Sequence, residues 1–457
     1  MTTSIQRKAC AAVLATLAAA GAATAQFDAQ LPLQYGYQQT LANPAALQDH
    51  RVTVALPSVS AGFYTPVSVS DMGAVDNGTL YIDPDQLINR LRDRGNDQRL
   101  AVNVETLGAI YRRRGWQVGV SHRVRAQGSL DAPRDLVRLA AYGNAPYVGE
   151  ELSVMPAVDA MAWQEFGVEG AVTLYERLTV GARAKYVEGT AAVVTMTADA
   201  TIYTDPEFYA ASVATNVNFQ TAGLDVTFDD AGVDIAGPER LGGAGRGFGV
   251  DLGAVYRHED EWELGLSLRD LGTVNWTGDA NRHRSQGAYE FRGFEGNVFE
   301  DGGFEFDVEG TVDSVIAAVE FDTRRSTFRT SLPTSVQGSF RYRLAAATTA
   351  NATMYAANQD SWHAGFGVGL SQRVGKWFHG GALAGMKRGG AFLGANVLFD
   401  VYGAQLYAAC DNLLAVANLS EAHDAYVRVG MNLAFAEIKP VKAVRGWYDV
   451  KVEGINR

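Results

Sequence analysis

Apolar and polar residues alternate with a period of two over much of this chain. In residues 166–174, Phe166, Val168, Val172 and Leu174 share one face with Gly170, while Gly167, Glu169, Ala171 and Thr173 share the other. A tight turn at Tyr175-Glu176-Arg177 leads to Leu178, Val180, Ala182, Ala184 and Tyr186, set against Thr179, Gly181, Arg183 and Lys185. The same form returns as Phe248, Val250, Leu252, Ala254 and Tyr256 against Gly249, Asp251, Gly253 and Arg257. Its neighbour places Trp262, Leu264, Leu266 and Leu268 opposite Glu263, Gly265, Ser267 and Arg269. Near the C-terminus Val427, Val429, Met431, Leu433 and Phe435 oppose Arg428, Gly430, Asn432 and Ala434. Period two is the pattern of strands with one apolar face.

Each unit runs about ten residues, the length a tilted strand needs to cross a bilayer. Strands of soluble proteins average nearer about five or six. Between Pro333 and Pro440 there is no proline, as uninterrupted ladders require. That window holds strands over 335–344, 348–357, 362–371, 378–386, 391–401 and 404–409. Upstream, residues 51–63, 101–112 and 116–125 are the clearest of roughly nine more, giving roughly 14 to 16 in all, consistent with an even-numbered barrel. A soluble sandwich would bury the apolar faces between two sheets and expose the charged ones. A membrane barrel turns the apolar faces to lipid and the mixed faces to the lumen. Periodicity alone does not separate the two. Strand length, glycine abundance and the leader described next favour an all-β, transmembrane antiparallel barrel.

The chain has 457 residues, 47% of them hydrophobic, and 49 glycines. Its mean hydropathy is −0.08. Beyond the N-terminus no apolar run reaches the length of a membrane helix. Residues 1–25 have the form of a secretory signal peptide. Arg7 and Lys8 precede an Ala/Leu/Val-rich stretch, and Ala23-Thr24-Ala25 gives a cleavage site before Gln26. The leader holds two basic and no acidic residues. The mature charge is therefore 37 − 51 = −14, against −12 for the whole chain. That balance argues against nucleic acid as a partner. Cys410 is the one cysteine after the leader, so no internal disulfide forms. The chain divides into leader (1–25), an N-terminal segment (26–50), barrel (51–438) and a periplasmic C-terminal tail (439–457).

Tight connections at 112–115, 175–177, 258–260 and 373–376 alternate with long segments at 65–100, 127–160 and 272–311. Short periplasmic turns and long extracellular loops have this asymmetry. Trp116, Trp262 and Trp377 each follow a tight turn, which places an indole at one interface, as an aromatic girdle does. Within one long segment, residues 132–139 read as a short helix with Pro133 in its first turn and Gly143-Asn144 at its end.

Chemistry-bearing motifs are sparse. Residues 242–249, "GGAGRGFG", lack the Lys-Ser/Thr of a phosphate loop and precede a strand, so they read as a flexible strand entry. Residues 290–309 carry seven acidic side chains and one basic without EF-hand spacing, which reads as a solvated acidic loop. The seven histidines show no metal-ligand spacing. There is no G-x-S-x-G elbow either. No enzyme, metal or cofactor is expected. The charges on the mixed faces are the candidates for function: Glu169, Arg183, Lys185, Asp251, Arg257, Glu263, Arg269, Asp400 and Arg428. They read as lumen-facing, either as a paired network that fills the interior or as a polar path for solutes. On this reading Val250 and Leu266 face lipid, and Asp251 and Arg269 face the lumen.

Several short motifs carry a family likeness. Asn43-Pro44-Ala45 precedes the first strand. Residues 247–253 read "GFGVDLG", 268–276 "LRDLGTVNW", 411–414 "DNLL" and 428–435 "RVGMNLAF". In this order they resemble outer-membrane barrels related to the long-chain fatty-acid transporter (FadL-like) family, in a Bacteroidetes-type branch without an assigned activity. The resemblance implies a barrel of about 14 strands in the outer membrane of a Gram-negative bacterium. It also implies that residues 26–50 form a plug. Asn43, Pro44 and Ala45 would then lie inside the barrel. Locally, Asn43 suits a helix N-cap and Pro44 the first helical position. The implied function is passage of small hydrophobic or amphipathic compounds, with outer-membrane lipid and a small hydrophobic ligand as partners. The alternative is a non-transporting barrel that serves type IX protein secretion or envelope structure beside other envelope proteins. The branch implies no site residue. The chain departs from many barrels by continuing past Phe435 through residues 436–457.

Overall fold

The computed structural model describes residues 36–76, 79–229, 232–238, 240–259, 261–291, 319–358, 362–388 and 390–438. The expected leader (1–25), residues 26–35, the acidic stretch from 292 to 309 and the expected tail (439–457) lie outside them.

Fourteen antiparallel strands close into one barrel. They are β1 (His50–Ala55 and Ser58–Tyr64), β2 (Asp97–Arg113), β3 (Trp116–Asp131), β4 (Ala157–Leu174), β5 (Leu178–Thr204), β6 (Gly245–His258) and β7 (Trp262–Trp276). Then come β8 (Phe328–Ser331 and Ser335–Ala345), β9 (Thr348–Asn358), β10 (Trp362–Val374), β11 (Phe378–Lys387), β12 (Gly390–Val401), β13 (Ala404–Cys410) and β14 (Asp424–Glu437). Each pairs with its chain neighbours. The pairing of β14 with β1, through Val54 opposite Leu433 and Val59 opposite Val429, closes the ring. Closure leaves the ring without a free edge.

Two strands are broken by proline, which has no N–H to give the ladder. β1 is interrupted at Leu56-Pro57, and β8 at 332–334 around Pro333. The expected single strand over 51–63 is therefore two pieces, although both pair with β14 and β2.

Five tight connections sit together at one end. Arg113 pairs directly with Trp116, Leu174 with Leu178, His258 with Trp262, Val374 with Phe378 and Val401 with Ala404. Each of these turns contains left-handed backbone: Gly115 has φ +78°, Tyr175 and Glu176 +52° and +61°, Glu259 +53°, Gly375 +59°, and Tyr402 and Gly403 +54° and +91°. Aromatic residues gather at this end. The Trp116 ring lies tilted against Tyr111 and Trp262 against Tyr256 and Phe340, while Trp377 stacks on Phe399.

The opposite end carries the long connections, beside short ones from Asn358 to Trp362 and from Lys387 to Gly390. β5 outruns the ring: its residues 192–204 pair with Ala211–Ala222, which pairs with Asn281–Phe291, which pairs with Asp322–Arg325. The helix Arg134–Tyr142 folds beside this extension. Its Leu136 and Leu139 pack with Leu152, Ile202, Val213 and Val217 in a separate core. Pro133 precedes that helix and Gly143, at φ +66°, ends it. In "GGAGRGFG", Gly242 and Gly243 take φ of +78° and +94°, and β6 begins at Gly245.

Along the ring, the usual polarity of a protein is reversed. Leu264, Leu266, Phe366, Val368, Met386 and Leu406 are all more than half exposed. Val250 pairs with exposed Leu271 and shares its outward face. Between them point Arg183, Lys185, Asp251 and Arg269, at most 5% exposed.

Candidate lumenal site

The inward positions of adjacent strands bring opposite charges together. Glu165 and Glu169 alternate inward on β4, Arg123 and Arg125 on β3, and Arg183 and Lys185 on β5. Antiparallel pairing then sets Glu169 beside Arg183 and Arg123 beside Glu165 as direct cross-strand neighbours. Arg183 pairs with Glu169 and, at 3.1 Å, with Asp251. Lys185 pairs with Asp251 at 2.5 Å and with Asp270. Arg125 donates to both oxygens of Asp270 at 3.1 Å and lies 4.8 Å from the Trp163 ring. Arg123 pairs with Glu165, and Arg428 with Glu105 at 2.6 Å. Five basic and five acidic side chains are joined in this way and all are buried. Charges taken out of water need such complete pairing to be tolerated.

A β-bulge completes the set. Val250 pairs with Leu271 and Leu252 with Leu268, so Asp251 stands opposite both Arg269 and Asp270. Asp270 holds φ +57°, and its N–H donates to the Asp251 Oδ1 at 2.7 Å. The extra residue turns two consecutive side chains inward and reverses the alternation beyond it. Val274 and Trp276 are therefore fully buried.

Of the nine charges expected inside, Glu169, Arg183, Lys185, Asp251, Arg269 and Arg428 are buried here. Arg257 and Glu263 form a separate pair at 2.6 Å near the tight-turn end, joined by Arg341 at 3.1 Å. Asp400 is local to a turn, accepting from the Gly403 N–H and from Gln405 at 2.9 Å each. Glu105, Arg123, Arg125 and Glu165 belong to the network and continue the same alternation along strands that the pattern already marks. Asp270 does not follow the alternation, because the bulge shifts it.

Residues 36–49 meet this network. The short helix α1 (Gln38–Ala42) is buried on four of its five residues. Gln38 and Asn432 exchange side-chain hydrogen bonds at 3.0 and 2.9 Å. Arg183 donates to the Thr40 carbonyl at 2.9 Å. Asn43 Nδ2 donates to the carbonyls of Ala254 on β6 and Leu266 on β7, each at 3.2 Å. Gln117 on β3 accepts from the Gln48 N–H and donates to the Ala46 carbonyl, both at 3.0 Å. The wall makes room with glycine. A Cβ on Gly253 would stand 2.0 Å from Asn43 Oδ1, and one on Gly181 would stand 2.5 Å from the Pro44 carbonyl.

The expected helix start at Asn43-Pro44 is not what forms. Asn43 is the residue that ends α1, with φ −146° and ψ 110°. Its Oδ1 accepts from the Ala45 N–H at 2.9 Å, and its carbonyl accepts from the Ala46 N–H at 2.8 Å. Asn43 thus uses its side chain to make a local turn, for which Asn is as well suited as for a helix cap.

Beside α1 lies a cavity of about 50 Å³ bordered by Gln38, Asn43, Glu263, Ser267, Gln337 and Ser339. Val255 and Phe340 border it as well, and its size suits a few waters. Among the described residues, no group of three His, Cys, Asp or Glu is placed to hold a metal ion.

Fold and interior together define a closed β-barrel with an inverted polarity and a charge-paired core. A model of a family of unknown function (DUF5723) matches residues 44–411, and the chain belongs to that family. A search of curated protein sequences finds no match. Among solved structures, the Ralstonia pickettii toluene transporter TbuX is similar at 11% identity, with 88% of this chain and 94% of that chain covered and a TM-score of 0.43. The P. putida toluene transporter TodX gives 9% identity, 88% and 95% coverage and a TM-score of 0.45. A Pseudomonas aeruginosa FadL homologue gives 10%, 87% and 93%, and 0.43.

Proposed function

We propose that this chain is an outer-membrane barrel, that residues 36–49 plug its lumen, and that it passes small hydrophobic or amphipathic compounds across the membrane. The observation that carries the reading is the inverted polarity of a closed ring. A soluble barrel buries its large apolar residues. Here they face outward on strand after strand, and paired charges fill the interior. Only lipid satisfies such an exterior, and only a closed ring satisfies the backbone of strands within lipid. Residues 1–25 supply the export signal this location needs.

The plug reading, with Asn43, Pro44 and Ala45 inside, rests on the contacts of residues 36–49 with β2, β3, β5, β6, β7 and β14. On this reading residues 36–49 lie across the lumen, so passage requires the segment to shift. The test is uptake into proteoliposomes. A monoaromatic hydrocarbon and a medium-chain fatty acid should enter faster than into empty liposomes. Equal rates across both classes would refute the transport reading.

A second reading has its own support. The extension built on residues 192–204 and its separate core present protein surface beyond the ring, as a partner barrel in type IX secretion or envelope structure would. A stable companion recovered with the barrel from native membranes, and lost when residues 205–210 are replaced, is the result this reading expects. Recovery of the barrel alone counts against it.

A further inference from the structure

We propose that the segment linking β13 to β14, built on the motif Asp411-Asn412-Leu413-Leu414, is a lipid-contacting foot that rests its apolar side in the outer leaflet. The inference rests on the membrane reading above.

The argument begins with strand parity. Val59 pairs with Val429 and Phe63 with Ala425, and directly paired residues share a face. Val59, Val427 and Val429 are 43–56% exposed and belong to the outward belt. Ala425 lies on the same face, two residues along, yet is only 8% exposed. It is covered by Ala415 and Ala422, with Phe63 packed against them. Residues 412–423 therefore fold over the outside of the ring, not over its mouth.

β13 explains why there is space for them. It ends at Cys410, paired with Ala395 and Val427, while β12 continues outward to Gly390 and β14 to Asp424. The helix Leu413–Ala417 lies against both strands above that end. Its root is fixed on the inner side. Asp411 accepts from the Tyr426 N–H at 2.6 Å and pairs with Lys387 at 2.6 Å. Asn412 Nδ2 donates to Asp424 Oδ1 at 2.8 Å, and Asn412 Oδ1 caps the helix at the Ala415 N–H. The polar half of the motif thus holds the chain to the barrel and the apolar half is turned away from it.

What it presents is unusually apolar for a loop. Leu414 and Leu419 are 62% and 63% exposed, and Leu413 and Val416 are exposed as well. The neighbouring wall is also apolar outward: Leu393 on β12, which pairs with Ala384, is exposed, and so are Met386, two residues along on β11, and its partner Phe366 on β10. The foot continues the lipid-facing belt, and acyl chains are the occupant that fits both. Water against this face, or a second protein over it, are the competing occupants.

Site-directed spin labelling distinguishes them. In a Cys410→Ser background, single cysteines Leu414→Cys and Val416→Cys are labelled in proteoliposomes. Val368→Cys on the outer face of β10 and Glu207→Cys in an exposed loop serve as references. Collision with oxygen, which concentrates in lipid, is compared with collision with a water-soluble nickel chelate. The expected oxygen-to-nickel ratio at Leu414 is several-fold above that at Glu207 and close to that at Val368. A ratio matching Glu207 overturns the proposal in favour of water. Poor access to both reagents overturns it in favour of a protein cover. If Val368 itself reads as aqueous, the membrane reading fails along with the foot. Val416 gives the same decision should Leu414→Cys lower the folded yield.

Discussion

Asp270 is the residue on which the interior turns most. It is the shared anion of Arg125 and Lys185, and it reaches them only because the bulge gives β7 one extra residue. Asp270→Asn keeps the shape and removes the charge. A broken buried pair of this kind costs about 3–5 kcal/mol, and the expected result is a lower urea midpoint for the barrel in detergent micelles. Gly253→Ala tests the other partner. Its Cβ would meet Asn43 Oδ1 at 2.0 Å, so residues 36–49 should loosen and become sensitive to limited proteolysis. Gly237→Ala, whose Cβ would meet nothing within 4 Å, should leave the cleavage pattern unchanged. At this scale the sequence is legible wherever alternation is unbroken. Arg183 and Asp251 announce their face through their apolar neighbours. Asp270 does not, since its face depends on one residue at φ +57° that no local composition encodes. Asn43 misleads for a related reason: the same side chain that caps a helix also closes a turn.

The strands themselves are the most legible elements. Residues 348–357, 378–386 and 391–401 become Thr348–Asn358, Phe378–Lys387 and Gly390–Val401, because period two and the absence of proline act locally. The lengths of β4 and β5 are less legible. Their outer halves lose the clean alternation once they leave the ring: on β5, Ala200 and Ile202 pack in the separate core while Met196 is 62% exposed. Pairing is least legible of all: Thr215 opposite Gly287 joins residues far apart in the chain, and nothing near either one specifies it. The extension carries its own pH dependence. His283, on Asn281–Phe291 beyond the ring, is fully buried against Phe219 and Phe228, with Thr221 and Thr323 on its nitrogens. Burial pushes its pKa from 6.5 down to about 4. The neutral ring is the folded form, while the unfolded segment takes up a proton first. Its stability should thus be full above pH 6.5 and fall as pH drops from there towards about 4. Hydrogen exchange in Asn281–Phe291 should accelerate over that window, and His283→Gln should flatten the dependence. An exchange rate indifferent to pH there, after correction for intrinsic chemistry, would show that His283 does not control the sheet.

For the whole molecule, inverted polarity is what ties sequence to the proposed location. A ring with charges inside and Leu, Phe and Val outside has one compatible solvent, and the fourteen-strand closure removes the edges that solvent would punish. The barrel should therefore fractionate with the outer membrane and shift its electrophoretic mobility on boiling. A chain extracted without detergent would contradict this. The interior makes a sharper claim, because among the described residues the paired charges and residues 36–49 bond to one another and to strands around the ring. Planar-bilayer conductance tests that claim most directly. The account predicts that the intact barrel is closed to ions, and that removing residues 36–48 produces discrete open-channel steps. An intact barrel that already conducts, or a truncated one that folds and stays silent, would contradict it.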